Sequence, residues 1–340
     1  MSQACVFGEF DNLVGVFQPS TKSSEHSELA VLILTPGMLH SAGPFRLHTM
    51  LADELSNAGL ASLRFDLSGI GESLAVGAPG SSLERAASEI RQAIDYLESE
   101  HGVRRVICFG LCSGADDAVF AALHEPRIVG VFALDGCGFR TWKFHWHRLW
   151  VRYIPKLLSL SKWFEKLSKT LGMNSSPPPS LQLATDIREF PRQAAAENQL
   201  IQLAQRGVHL HFHYTGGVDD YYNYADQFSD MFPRLVAERA DLASWSYQPT
   251  SDHVGFLCEQ RGEIVDRVKT SVVAMASSLA VNASSLASEC KSPAEPSESD
   301  ADESLVAPLP DETESQNAPI CPAVFPPVGP TGGIPSGSQS

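Results

Sequence analysis

The feature that most constrains this chain is the stretch RRVICFGLCSGADD at residues 104–117. It reads as a buried strand, a sharp turn and the start of a helix. The turn at residues 110–114 has a cysteine between two glycines, each two positions away. Glycines suit a turn so tight that flanking side chains would collide with the neighbouring strand or helix. Such a turn lifts Cys112 to the edge of a sheet and to a helix N-terminus, where partial positive charge favours the thiolate.

Apolar runs and helical periodicity alternate on both sides of this turn. Strands are predicted at residues 30–35, 60–65, 105–109, 128–134, 208–214 and 244–248, after a hairpin at 7–18. Helices are predicted at residues 45–58, 83–98, 116–123, 222–232 and 261–279. This alternation predicts an α/β fold with a mainly parallel central sheet flanked by helices. Functional sites of such sheets lie at the carboxyl ends of the strands.

The alternation stops between residues 138 and 205, which we interpret as a helical cap (lid) inserted into a core of residues 1–137 and 206–280. The cap begins with a segment rich in tryptophan and basic residues. Trp142, Trp146 and Trp150 recur at every fourth position and therefore share one helix face. This face either packs the lid on the core or forms a surface for an acyl chain, a lipid-linked substrate or a membrane. The second interpretation predicts peripheral membrane contact through residues 140–170.

Residues 281–340 are dominated by Ala, Ser, Pro, Glu and Asp and carry about half of the net negative charge. Such a composition buries too little apolar surface to offset its ordering entropy, so a disordered acidic tail is predicted. The net charge of the whole chain is −15. That charge argues against a nucleic-acid partner.

The seven cysteines include no C-x-x-C pair and no metal-ligand spacing. They are typical of reduced thiols, and neither a metal nor another cofactor is expected. The N-terminus lacks the basic and apolar regions of a signal peptide, and no apolar run is long enough to span a bilayer. A cytoplasmic location is therefore predicted. The sequence makes no prediction about oligomeric state.

A cysteine nucleophile needs a base, and the base needs a carboxylate that fixes its tautomer. His253 follows the last predicted strand and is the candidate base. Asp219 follows the strand before it and is the favoured acid. Asp220, its neighbour, and Asp135, which ends an earlier strand, remain alternatives.

Two backbone N–H groups should stabilise the negative charge that develops on the substrate oxygen. The amide of Ser113, directly after the nucleophile, is one candidate. The amide of Met38, in the loop after the strand at residues 30–35, is the other. The Ser113 hydroxyl is the rival nucleophile, but its position after the turn should direct it toward the helix.

The chain resembles the α/β-hydrolase superfamily over roughly residues 7–280. The resemblance rests on Pro36-Gly37-Met38, Asp66-x-x-Gly69-x-Gly71-x-Ser73, Gly110-x-Cys112-x-Gly114, Gly216-x-x-Asp219 and Asp252-His253. The order nucleophile, acid, base is the order of this superfamily. Within it, the chain is similar to serine-aminopeptidase-like hydrolases, and especially to exosortase-A-system-associated hydrolases, through GPFRLH…LRFDLSGIGES and the cysteine turn. Proline and glycine at 36–37 stand where His-Gly is more usual.

The resemblance implies hydrolysis of a carboxylic ester or thioester through an acyl-enzyme, in a setting linked to exopolysaccharides. The expected partner is a small-molecule or lipid-linked acyl substrate. Two alternatives remain open at this point. An acyltransferase would use the same acyl-enzyme with another hydroxyl or thiol replacing water, and a non-catalytic interaction protein would keep only the fold.

Overall fold

The computed structural model describes residues 1–22, 27–77, 79–153 and 191–289. The predictions for the middle of the cap and for residues 290–340 therefore lie outside the described part of the chain. Within it, eight strands form one sheet. They are β1 (Gln3–Phe7), β2 (Leu13–Gln18), β3 (Leu29–Leu34), β4 (Ala61–Phe65), β5 (Arg105–Leu111), β6 (Ile128–Leu134), β7 (His209–Thr215) and β8 (Ala243–Gln248).

The strand order is β1-β2-β4-β3-β5-β6-β7-β8. β1 and β2 form the predicted antiparallel hairpin, and β2 also runs antiparallel to β4. Every other pairing is parallel. The mainly parallel central sheet is thus confirmed, and the carboxyl ends of β3 to β8 lie along one edge.

The helices are α1 (Leu47–Ala58), α2 (Ser82–His101), α3 (Ser113–His124), α4 (Trp142–Arg148), α5 (Gln193–Gln205), α6 (Gln227–Met231), α7 (Pro233–Arg239) and α8 (Cys258–Glu289). The helices pack on opposite faces of the sheet through two apolar clusters. One cluster contains the buried side of α2, α3 and α5, and the other contains the buried side of α1 and α8. β3 is buried along its whole length and contributes alternate residues to the two clusters, as a strand covered on both faces must.

Several boundaries differ from the predictions for physical reasons. α1 begins at Leu47 because Phe45 and Arg46 have left-handed φ angles of 49° and 67°. The predicted helix at residues 222–232 is shortened to α6, and α7, which was not predicted, follows it. Pro233 opens α7, and its missing N–H and fixed φ keep α6 and α7 from forming one continuous helix. α8 continues to Glu289, into the segment predicted as tail.

Part of the predicted cap packs as core. α5 contributes Leu200, Leu203 and Ala204 to the same apolar cluster as α2 and α3. α4 buries one side chain, Phe144, and the three periodic tryptophans of α4 and of the following turn, Leu149–Tyr153, are exposed. No helix among the described residues is long and apolar enough to cross a bilayer.

Candidate functional site

Cys112 lies at the junction of β5 and α3, with φ 55° and ψ −119°. A left-handed φ at a non-glycine residue is strained, and such strain collects at functional sites. The Cys112 amide donates to the Leu134 carbonyl of the neighbouring strand at 2.8 Å, which holds the turn in this conformation. The side chain is half-buried and lies at the N-terminus of α3, as the sequence predicts.

The two glycines of the turn are required by close backbone contacts. A Cβ at Gly110 would overlap the carbonyl of Gly114. A Cβ at Gly114 would lie 2.8 Å from the Thr35 carbonyl oxygen at the end of β3. The turn therefore packs its own backbone against itself and against the next strand, and a side chain at either position would push these segments apart.

His253 comes to this turn from the loop after β8. Its Nδ1 lies 2.8 Å from Oδ2 of Asp135, and its ring lies close enough to Cys112 for that side chain to raise the histidine's pKa. The imidazole therefore lies between the carboxylate and the cysteine. The carboxylate bond to Nδ1 directs Nε2 toward the cysteine, which is the arrangement a base needs to exchange a proton with a nucleophile.

The carboxylate that contacts His253 is that of Asp135, one of the alternatives to the favoured Asp219. Asp135 follows β6, and β6 pairs directly with β5 so that Leu111 lies opposite Leu134. Residues 112 and 135 therefore leave adjacent strands at the same level. The left-handed φ of Asp135, 55°, turns its side chain out of the strand and toward the histidine.

The Asp135 carboxylate is buried and fully engaged. Oδ1 accepts from the Thr215 amide at 2.6 Å, and Oδ2 accepts from the Thr215 hydroxyl at 2.6 Å in addition to His253. Tyr221 donates its hydroxyl to the Asp135 carbonyl at 2.6 Å. These bonds satisfy a charged group that is only 2% exposed. Neither Thr215 nor Tyr221 is distinguished in the sequence, where the only signal is that Thr215 directly follows a predicted strand.

The loop after β7 has a different part in the site. Its Gly217 lies so close to the His253 backbone that a Cβ there would clash with the His253 Cβ at 2.7 Å. Asp219 lines a separate cavity with Tyr247, and the Asp220 carbonyl accepts from Arg140 at 2.8 Å. The loop thus leaves room for the histidine backbone, and its Asp219 lines a cavity other than the one at Cys112.

The protonation of His253 follows from these contacts. Its pKa is raised to about 10, first by the hydrogen bond to Asp135, then by the hydrogen bond to Cys112, with burial acting in the opposite direction. The imidazolium is therefore the resting form at neutral pH. An imidazolium beside a sulfur at a helix N-terminus is the arrangement in which cysteines react as thiolates.

The loop after β3 approaches the same turn. The Gly37 amide donates to Oγ of Ser113 at 2.5 Å, and the Leu39 amide donates to the Pro36 carbonyl. Among the described residues the Met38 amide, between them, donates no hydrogen bond. The Ser113 hydroxyl thus faces this loop, not the helix as expected from the sequence. Its contact with Gly37 fixes the loop beside the cysteine, where the Met38 and Ser113 amides remain the candidate oxyanion donors.

A second buried carboxylate anchors that loop. Asp66, which follows β4 and is 1% exposed, accepts from the Ser41 amide at 2.5 Å and lies 3.4 Å from Nε2 of His40. It also accepts from the Glu72 amide, while its carbonyl accepts from the Ser73 hydroxyl at 2.6 Å. The glycine-rich stretch at residues 66–73 therefore holds the loop that carries Met38.

Cys112 opens onto a cavity of about 740 Å³. Its walls are mostly apolar and come from α3, the segment after β6, and α5, including Val119, Phe139 and Leu200. Asp116 is one of its polar residues, and its carboxylate accepts from both the amide and the thiol of Cys137. The cavity is large enough for an organic substrate with an apolar portion. Among the described residues no cluster of side chains is suited to bind a metal ion.

The strand order, the strained turn after β5 and the histidine after β8 together define an α/β-hydrolase fold. A solved structure supports this assignment. Proline iminopeptidase from Mycobacterium smegmatis superposes with a TM-score of 0.52 over 83% of this chain and 100% of its own, at 10% identity. Identity this low shows a common fold alone.

Two further solved structures are similar but superpose less closely. The α/β hydrolase GrgF from Penicillium has a TM-score of 0.48, 15% identity, and coverage of 78% of this chain and 96% of its own. An esterase from Pyrococcus furiosus has a TM-score of 0.49, 14% identity, and coverage of 79% and 89%. No protein-family model and no curated protein sequence matches the chain.

Proposed function

We propose that the protein hydrolyses a carboxylic ester or thioester through an acyl-enzyme on Cys112. The observation that carries the proposal is the position of His253 beside Cys112 and hydrogen-bonded to Asp135, with Cys112 and Asp135 both lining the 740 Å³ cavity. The site lies on a fold shared with a proline iminopeptidase, at the strand ends where α/β folds place their chemistry.

The proposed reaction begins with the proton on His253. The Cys112 sulfur attacks the acyl carbon, and the negative charge on the carbonyl oxygen is met by the Ser113 and Met38 amides. As the intermediate collapses, the bond to the leaving group breaks and His253 gives its proton to the departing oxygen or sulfur. The products of this half are the free alcohol or thiol and a thioester on Cys112.

Hydrolysis of the thioester uses the same groups in reverse. His253 is now neutral and takes a proton from water while the water oxygen attacks the thioester carbon. Collapse releases the carboxylic acid and returns the sulfur as thiolate beside the imidazolium. Asp135 keeps the ring oriented and stabilises its cation in both halves.

The substrate is proposed from the cavity and from the sequence resemblance. The apolar walls favour an acyl or alcohol portion with little charge. The resemblance to exosortase-A-system-associated hydrolases makes acylated compounds of exopolysaccharide metabolism, including lipid-linked ones, the substrates to test first.

The experiment combines thiol labelling with turnover. Iodoacetamide at pH 7.5 should modify Cys112 rapidly, and His253→Ala should slow this labelling at least about tenfold because the proton acceptor is gone. Cys137 lines the same cavity, but burial and the Asp116 carboxylate raise its thiol pKa well above the usual value, so it should label far more slowly.

p-Nitrophenyl esters and acyl-coenzyme A thioesters should be hydrolysed by the wild type and not by Cys112→Ala. A folded protein in which Cys112 reacts no faster than Cys137, and which turns over neither substrate class, would contradict the proposal and favour a non-catalytic role. Product formed only when an alcohol or thiol acceptor is added would favour acyl transfer.

A further inference from the structure

We propose that an exposed tryptophan face, formed by α4 and the turn of π-helix after it, docks the protein on an anionic lipid bilayer. The face consists of Trp142 and Trp146 in α4 and of Leu149 and Trp150 in the turn Leu149–Tyr153. The inference concerns binding only and does not depend on the proposed chemistry.

The three tryptophans are open to solvent to an unusual degree. Their exposed fractions are 67%, 53% and 62%, and Leu149 on the same side is 42% exposed. Trp245 is a useful contrast, because its ring stacks on Phe228 with centroids 5.1 Å apart. Three neighbouring indoles that do not pack on the core form an apolar patch of the kind that marks an interaction surface.

α4 holds this face outward because its other side is fixed to the core. Phe144 is fully buried, and its carbonyl accepts from the Asn223 amide group at 3.2 Å. Thr141 caps the helix by accepting from the Phe144 amide, and its hydroxyl also contacts the hydroxyl of Tyr224. The indoles therefore point away from the protein as a consequence of packing, and the spacing of four keeps them together.

The positive charge of the segment around α4 favours an anionic partner. The chain carries −15 overall, yet residues 140–153, which include the face, contain four Lys or Arg residues and no acid. Lys143, within α4, is exposed at 49% although it is paired with Asp230. An anionic surface would attract this segment and repel the rest of the chain, so docking would have one orientation. A second copy of the chain would bring two basic segments together, which disfavours self-association through this face.

Indole rings also match the chemistry of a bilayer surface. Trp concentrates at the membrane interface, where its apolar body and its N–H can both be accommodated, and basic residues beside it meet lipid phosphates. Arg140, two residues before α4, lines the cavity that opens at Cys112. A docked face would therefore place the cavity wall beside the lipid surface.

The test measures retention of the full chain on vesicles without substrate. Two kinds of vesicle are compared by sedimentation: phosphatidylcholine alone, and phosphatidylcholine with about 30% phosphatidylglycerol, which gives a strong negative surface potential. The protein should be retained only on the anionic vesicles. The variant Trp142→Ala/Trp146→Ala/Trp150→Ala should bind at least about tenfold more weakly, since it lacks the three indoles that would be buried in the lipid surface. Phe10→Ala, which removes another aromatic side chain of similar exposure, should bind as the wild type does.

A second measurement on the wild type keeps the test independent of how the triple variant folds. Lipids with brominated acyl chains should quench tryptophan fluorescence on anionic vesicles, and Cys112→Ser should behave identically. Absence of wild-type retention on anionic vesicles, or equal retention of a folded triple variant, would overturn the proposal. A change from oligomer to monomer in the triple variant, measured by light scattering, would instead assign the face to contacts between copies.

Discussion

Replacing Asp135 with asparagine should remove the charge that holds His253 as its cation while leaving the shape of the site nearly intact. The hydrogen bond to Asp135 is the largest cause of the raised pKa of His253, about 10 against the ordinary 6.5. At 1.36 kcal/mol for each pKa unit, the whole difference corresponds to about 5 kcal/mol in favour of the imidazolium. Solvent reaches 29% of the histidine side chain and Cys112 contributes part of the effect, so we assign about 3 kcal/mol to Asp135.

A loss of about 3 kcal/mol in the transition state predicts a fall of about a hundredfold in kcat/KM for Asp135→Asn. The pH dependence should change in a defined direction. The wild-type imidazolium persists until the pH approaches 10, whereas in the variant the pKa of His253 should fall toward 6.5. The proton needed by the leaving group is then lost near neutral pH, so the alkaline limb of the rate profile should move to lower pH.

The assay is p-nitrophenyl ester hydrolysis between pH 5 and 10, roughly the span of the two pKa values, with an NMR titration of the His253 ring. Asp219→Asn is the matched control, because it removes the same charge from the neighbouring loop and should stay within about twofold of the wild type. Circular dichroism would show that both variants are folded. The reasoning would be refuted if Asp219→Asn lost about a hundredfold while Asp135→Asn kept its rate and its pH profile.

Two further predictions concern stability. Gly114→Ala should destabilise the fold by at least about 2 kcal/mol, because its Cβ would lie 2.8 Å from the carbonyl oxygen of Thr35, directly after β3. Gly262→Ala, in α8 with open space around its Cβ, should stabilise it by about 0.5–1 kcal/mol through helix propensity, and urea unfolding of both variants measures the contrast. Burial lowers the pKa of His48 to about 3, so the folded state binds a proton at this ring less readily than the unfolded chain does. The free energy of unfolding should therefore fall as the pH drops from 6.5 toward 3. His48→Leu should shift the acid unfolding midpoint to lower pH, and an unchanged midpoint would show that this group does not limit acid stability.

Much of the fold could be predicted because its local patterns are strong. β3 is apolar at every position and lies in the sheet interior, and β6 has the predicted bounds. The turn at Cys112 was recognisable because glycines stand where no side chain fits. Helix boundaries were less predictable where single residues decide them. Pro233 separates α6 from α7, and the left-handed φ of Phe45 delays the start of α1.

The sequence indicates a candidate cysteine and a candidate histidine, but not which carboxylate contacts the histidine. Cys112 and His253 could be chosen from the sequence because each follows a strand in a characteristic context. Asp135 and Asp219 both follow parallel strands, so spacing along the chain does not distinguish them. The choice depends on backbone conformation, since the φ of 55° at Asp135 directs its side chain toward the histidine. It also depends on Thr215, which supplies two of the bonds that a buried carboxylate requires.

The loops after β6 and β7 thus contribute differently to the position of His253: the first supplies the carboxylate, and the second leaves space for the histidine backbone. β6 is adjacent to β5, so an acid at its end reaches a histidine beside the cysteine without crossing another strand. The loop after β7 contributes Gly217, whose missing side chain lets the His253 backbone settle against it. Either change alone would displace the imidazole: a side chain at residue 217 by pushing the backbone, and a neutral residue at 135 by removing the partner of Nδ1. The glycine and the aspartate are therefore coupled through the histidine. Gly217→Ala should lower kcat/KM even though no charge is altered. In the double variant Gly217→Ala/Asp135→Asn, kcat/KM should fall by a smaller factor than the product of the two single-variant factors.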